Sequence, residues 1–173
     1  MSCIVPYKGV APTIDPSAFI APTASIVGDV RIGEGVSIWF GTVVRGDFQP
    51  VIIGKNTNIQ DNATIHVMHH DPTVIGEGVI IGHNAIIHSH KIGDHTFIGM
   101  GSIIMGHVEV GENVVIYPGS LIEEHRKIPP NSLIAGSPAR IIRALRDDEI
   151  EALKGSALRY HNVADLYKDE LTK

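Results

Sequence analysis

A branched aliphatic residue returns at every sixth position through most of this chain, and that period limits the possible folds more than any other feature. From Ile14, steps of six reach Ile20, Ile26, Ile32, Ile38 and Val44. The frame then jumps by nine to Ile53 and continues through Ile59 and Ile65. It jumps by ten to Ile75, continues through Ile81 and Ile87, and slips by five to Ile92. From there it runs unbroken through Ile98, Ile104, Val110, Ile116, Ile122, Ile128 and Ile134. All twenty positions are Ile or Val, and Gly follows seven of them: Gly33, Gly54, Gly76, Gly82, Gly93, Gly99 and Gly111. Two residues before each, the side chain is mostly small or β-branched, as at Ala24, Val36, Thr57, Ala63, Ala85, Thr96 and Ser120.

Ordinary amphipathic strands would alternate with period two and break irregularly. A fixed longer period is the signature of a stacked repeat. Six residues per side and three sides per coil make a triangular prism of short parallel strands, with the branched side chains stacked inside. So narrow an interior excludes large rings, which accounts for an aromatic content of only 5%. After Ile134 the pattern changes. Gly136 and Pro138 mark a turn, and Asp147 or Asp148 is placed to cap a helix. Ile150, Leu153, Ala157, Tyr160, Ala164, Tyr167 and Leu171 recur at intervals of three and four, one apolar stripe on a single helix. The sequence therefore predicts an all-β class: a parallel β-helix over about residues 12–135, a C-terminal α-helix over about 147–171, and a single domain over 1–173.

Net charge is −5, so nothing points to nucleic acid or an anionic membrane as partner. Cys3 is the only cysteine, which excludes an internal disulfide and suits a reducing compartment. The N-terminal MSCIVPYKGVAP lacks an apolar core of signal-peptide length, and Gly interrupts every apolar run before it reaches membrane-spanning length. The expectation is a cytoplasmic protein.

The chemistry gathers where the repeat breaks. With Ile53 on side A, Ile59 on side B and Ile65 on side C, residues Val44, Ile65 and Ile87 all fall on side C in successive coils, and each frame break follows one of them. Irregularities stacked at one corner are a built feature, as bulges beside active sites often are. The position after the core residue on side C carries Arg45, His66 and His88, stacked roughly 4.8 Å apart per coil. Two positions after the core residue on side B come Asp61 and His83. His66 and His88 can therefore share one metal within a chain. His83 lies five residues before His88, and outward-pointing imidazoles at that separation do not converge, so a third ligand from this set comes from another subunit of a closed ring. The other histidines, His69, His70, His90, His95, His107, His125 and His161, read as solvated surface residues, with His90 also placed to fill the one-residue deletion.

The segments SIWFGTVVRGD (37–47), NIQDNATIH (58–66) and GHNAIIHS (82–89), with GSPAR at 136–140, closely resemble the γ-class carbonic anhydrase family over nearly the whole chain. The resemblance implies a left-handed β-helix; the hand itself does not follow from the repeat, since parallel crossovers are normally right-handed. It implies a homotrimer with Zn2+, or Fe2+ or Co2+, between subunits, His66 and His88 coming from one chain and His83 from the next. It further implies that Arg45 and Asp61 form a salt bridge joining subunits, that Asp47 belongs to the same interface and pocket, and that Gln60 binds or orients the metal-bound hydroxide with Asn58 close by. Tyr160 aligns with a pocket tyrosine of many relatives; as a stripe residue it would instead pack the helix down.

Two departures bear on the reaction. The archetypal enzyme carries a glutamate after RGD, where this chain has Phe48, and a longer acidic loop where this chain has VMHHDPT (67–73), with Asp71 its only acid. Three neutral imidazoles with an open position are the pattern of a catalytic metal site. The resulting expectation is metal-dependent reversible hydration of CO2 to bicarbonate, a small-molecule substrate, with His69 or His70 available to take the proton. The alternatives are a metal-dependent thioesterase or hydrolase on acyl-CoA and a metal-binding or assembly protein without turnover. An acyltransferase, which this fold often hosts, needs one general-base histidine and no metal triad.

Overall fold

The structure, a computed structural model, describes residues 2–171, and for residues 157–161 only the helical backbone. It is a parallel β-solenoid of about seven turns followed by a short hairpin and a long helix, α1 (Asp147–Leu171). The three stacks follow the period. Ile14, Ile32, Ile53, Ile75, Ile92, Val110 and Ile128 pair in sequence on side A. Ile20, Ile38, Ile59, Ile81, Ile98, Ile116 and Ile134 do so on side B. Ile26, Val44, Ile65, Ile87, Ile104 and Ile122 form side C, extended upstream by Ile4. All twenty repeat residues except Ile14 and Ile20 are buried. Parallel strands are buried wherever both faces are covered, and each interior Ile or Val contributes about 1.5–3 kcal/mol over an exposed one. The small residues two positions earlier fill the corners from inside. Thr57 and Thr96 satisfy their hydroxyls on the next coil, Thr57 Oγ1 donating to the Gly76 carbonyl at 2.8 Å and Thr96 Oγ1 to that of Gly111 at 3.1 Å, while Ser120 Oγ donates to the Tyr117 carbonyl of its own coil at 2.6 Å.

The corners have a rule of their own. Three residues after a core position the backbone turns through positive φ, at Gly35, Gly41, Asn56, Asn62, Gly78, Asn84, His95, Gly101, His107, Asn113, Gly119, His125 and Asn131. Gly enters this region freely, and Asn and His are the side chains most tolerant of it. His95, His107 and His125 are thus turn residues, a role beyond that of solvated surface groups. The glycines that follow the side-A core residues answer a different demand. A Cβ on Gly93 would run into the backbone of Gly111 and Glu112 on the next coil.

The helix lies along the outer face of side B. Leu153 packs with Leu133 and Leu145, against Phe97 and Val115, while Ala164 packs with Phe19, Ala21 and Trp39 near the first coils. Tyr167 stands edge-on to Trp39, ring centroids 5.2 Å apart, and Lys168 Nζ donates to the Ser17 carbonyl at 2.7 Å. Twenty-five helical residues span about 37 Å, enough to cover seven stacked strands at about 4.8 Å each. The helix start is capped differently from the sequence expectation. Asp147 and Asp148 both lie in the first turn, and Glu149 reaches back to accept from the Arg146 backbone N–H at 2.9 Å, the second half of a capping box.

Candidate metal centre

The strand Val43–Ile53 passes without a break from side C around the corner onto side A, paired with Ser25–Ile32. Its register slips between Gly28 and Val30, so the three extra residues after Val44 bulge at this corner. The four extra residues after Ile65 form the loop 67–72 at the same corner. One coil further, His90 sits at the one-residue deletion, where His90 N and Lys91 N share the Val108 carbonyl at 3.2 Å each.

Register places Val43–Arg45 beside Thr64–His66, and Ile86–Ile87 next below, so Arg45, His66 and His88 follow one another down one column. The imidazoles of His66 and His88 stack with centroids 5.2 Å apart, and His88 Nε2 lies 3.2 Å from His66 Nδ1. The far nitrogen of the His66 ring is held. His66 Nε2 donates to Asp47 Oδ1 at 2.9 Å, and Arg45 donates to the other oxygen of Asp47. His88 hydrogen-bonds to the Val67 backbone. Burial alone would raise the Asp47 carboxyl, but the bonds from His66 and Arg45 hold it below its ordinary value, so it is ionised at neutral pH. Burial, with His66 alongside, pushes His88 below the usual histidine value despite the opposing pull of Val67 and Glu124, so it is neutral.

This arrangement fits a metal. Nitrogens of a tetrahedral zinc-type site with bonds of about 2.0–2.1 Å stand roughly 3.3 Å apart, close to the 3.2 Å seen here. Carboxylate or carbonyl partners on the remote ring nitrogens are the usual support of metal-binding histidines. It offers two nitrogens only: among the described residues no three His, Cys, Asp or Glu side chains of the chain come together to hold an ion.

His83 is elsewhere. It precedes Asn84 at the corner between sides B and C, the opposite edge of side C from His66 and His88. There His83 Nδ1 donates to Asp61 Oδ2 at 2.9 Å, while Asp61 Oδ1 accepts from the Phe40 N–H at 3.2 Å. Within the chain Arg45 therefore pairs with Asp47 and Asp61 with His83; Arg45 and Asp61 do not meet. Gln60 lies beside Asp61, buried, its side-chain amide without a partner among the described residues. Asn58 lies behind on the outer face of side B, its Nδ2 donating to Ser37 Oγ at 2.7 Å, which also accepts from Trp39 Nε1 at 3.3 Å. Its Oδ1 is buried and unmet by any described donor. The side chain of Tyr160 lies outside the described residues. Phe48 stacks on His69, centroids 4.1 Å apart, and stands edge-on to His66 at 6.1 Å, so a ring covers the place of the missing carboxylate. Ser37, Trp39 and the Val67 backbone are supports that sequence reasoning missed. Ser37 and Trp39 occupy the outer face of side B, where only the helix reveals that they are buried.

The chain is similar to known proteins along most of its length. Residues 11–46 and 89–124 match the bacterial transferase hexapeptide (six repeats) family. A protein of Geobacillus kaustophilus named carbonic anhydrase is 46% identical over 165 residues, 95% of this chain and 91% of that protein. Gamma carbonic anhydrase 1, mitochondrial, of Arabidopsis thaliana is 43% identical over 94% of this chain, which spans only 62% of that relative's length. The solved structure of a hexapeptide transferase family protein from Anaplasma phagocytophilum is 42% identical and superposes with a TM-score of 0.90 over 95% of this chain and 98% of that one.

Proposed function

The chain belongs to the γ-class carbonic anhydrase family of hexapeptide-repeat proteins, and on that premise we propose that it catalyses the reversible hydration of CO2 to bicarbonate with a zinc-type cation held between the subunits of a homotrimer. The observation that carries this reading is the convergence of His66 Nδ1 and His88 Nε2 at 3.2 Å, with the remote nitrogen of His66 anchored on Asp47.

The two half-sites lie on opposite edges of side C, and the outer face between them exposes Val43, Ile86, Ile103 and Met105. Ile86 and Ile103 are neighbours in one column with Met105 beside them, while Thr64 separates Ile86 from Val43; grouped exposed apolar side chains mark a partner surface. A head-to-tail contact that closes after three copies would bring the His83 edge of one subunit to the His66–His88 edge of the next and create three equivalent sites. His66, His88 and the neighbour's His83 then hold the cation, which when bound supplies the Lewis acidity that makes a water nucleophilic near neutral pH. Asp47 and the Val67 backbone fix the two imidazoles of one subunit, and Asp61 fixes His83, so that each presents a lone pair. Gln60, carried by the subunit that carries His83, has an uncommitted amide to orient the attacking oxygen toward CO2; Asn58 backs it from side B. Phe48 keeps the His66 edge dry. Zn2+, Fe2+ and Co2+ all suit three imidazoles.

Metal analysis, CO2 hydration by stopped flow and acyl-CoA hydrolysis, all on one preparation, test the proposal. Stoichiometric metal with hydration that chelation abolishes is the expected result. Metal-loaded protein that leaves CO2 untouched and cleaves acyl thioesters would replace this reading with that of a hydrolase.

A further inference from the structure

A second histidine cluster sits below the metal half-site on the same corner. His107 and His125, the turn residues of the next two coils, stack with ring centroids 4.7 Å apart and planes within 5° of parallel. His107 Nδ1 donates to Asp71 Oδ2 at 3.0 Å. Asp71 comes from the loop 67–72, which leaves directly from His66 and folds down the corner. The loop is seated by Met68, whose thioether lies over Gly106 where any side chain would displace it. Glu124 also reaches over Gly106, and its charge is felt at His88. The loop thus links the metal half-site to the stack, with an acidic group between them. His107 is one coil and two residues from His88, on the order of 8 Å between backbones from strand spacing and rise per residue, a gap that one or two ordered waters can bridge.

We propose that the Asp71–His107 pair, backed by His125, is the proton acceptor of the hydration reaction, an inference that rests on the CO2 reading above. Each turnover joins water to CO2 and releases one proton. With its Nδ1–H committed to Asp71, His107 keeps the lone pair of Nε2 open. It takes the proton there as an imidazolium that the Asp71 carboxylate stabilises, and gives it up from the same nitrogen to a base of the buffer. Stacking on His125 holds the His107 ring in the plane that meets Asp71. Other charged or titratable groups at this corner include Glu124 and Arg126 beside His125, His90 on the coil above, His69 and His70 in the loop, and Arg45, Asp47, His66 and His88 beyond it. His69 is not so arranged: its ring is stacked on Phe48, and no carboxylate meets it among the described residues.

The test uses the metal-loaded full chain and compares His107→Asn and Asp71→Asn with the parent. Asn suits the left-handed turn that residue 107 occupies, as Asn56, Asn84 and Asn113 do. In weak buffer, kcat should fall by roughly tenfold or more, within the usual range for a lost general acid–base group. Metal content and kcat/KM should stay unchanged, and added imidazole should restore kcat. A parent that hydrates CO2 alongside variants with full kcat in weak buffer would overturn this inference alone. So would a loss of kcat and kcat/KM together that imidazole does not restore. A metal-loaded parent with no hydration in any buffer would overturn the CO2 reading and this inference with it.

Discussion

His83 Nδ1 and Asp61 Oδ2 lie 2.9 Å apart, joining residues one coil apart on the edge of side C that faces away from His66 and His88. With Nδ1 engaged by Asp61, Nε2 is the nitrogen His83 has left to offer a metal in the proposed site. Asp61→Asn should therefore weaken metal binding by about 10–100-fold, the usual cost of losing such a support, with the fold intact. A chelator competition titration reads this. Unchanged affinity would mean that Asp61 serves only the interface.

Which chain supplies which ligand can be decided by mixing. His66→Ala and His83→Ala should each empty the site. Refolded together with random exchange, they should recover about a quarter of metal binding, because two adjacent chains must each be of the required type. His66→Ala with His88→Ala should recover none. Recovery in the second mixture and not the first would mean that His66 and His88 meet across the interface.

Assembly and metal should be linked. Binding energy held between subunits is assembly energy, so chelation should lower both the melting temperature and the trimer fraction. Light scattering that gives the mass of a single chain for metal-loaded protein would sink the shared-site reading.

The helix start should respond to acid. Arg143 and the Arg146 backbone hold Glu149 at about 2, below its ordinary 4.5. Because its folded value is the lower one, its contribution is fully present above about 4.5 and disappears as pH falls from there toward about 2. Glu149→Gln should flatten the acid dependence of helix unfolding in that window, followed by circular dichroism. A curve identical to the parent's would show that the ion pair adds nothing.

Two glycines should respond oppositely to alanine. Gly93→Ala drives a Cβ into the backbone of the next coil and should cost about 1–3 kcal/mol or more, as overpacking does. Gly155→Ala, in the helix with open space around it, should stabilise by up to about 1 kcal/mol. Thermal melts of the two variants check both signs.

The side assignment was legible because the period is set by burial. Ile59 over Ile81 over Ile98 follows from counting, and the columns of Arg45, His66 and His88 and of Asp61 and His83 follow from it. The corner rule is also written in the sequence, since each residue three after a core position from Gly35 to Asn131 that turns through positive φ is Gly, Asn or His. The loop contacts were not legible. Asp47 on His66, Met68 over Gly106 and Asp71 on His107 depend on how extra residues fold, and no period governs them. Nor did the stripe on the helix say whether it would meet its own prism or a neighbour's; the aromatic cluster of Phe19, Trp39 and Tyr167 decides that.

The solenoid acts as a ruler with fixed graduations. Groups in one column can be separated only by whole multiples of the distance between neighbouring strands, so His66 and His88 already hold the shortest spacing it allows. A sequence drifting under selection cannot narrow or widen that pair by fractions of an ångström through its coils. If an ion is held there, tuning which one fits falls to the loops of a single corner, whose lengths can change without shifting the graduations.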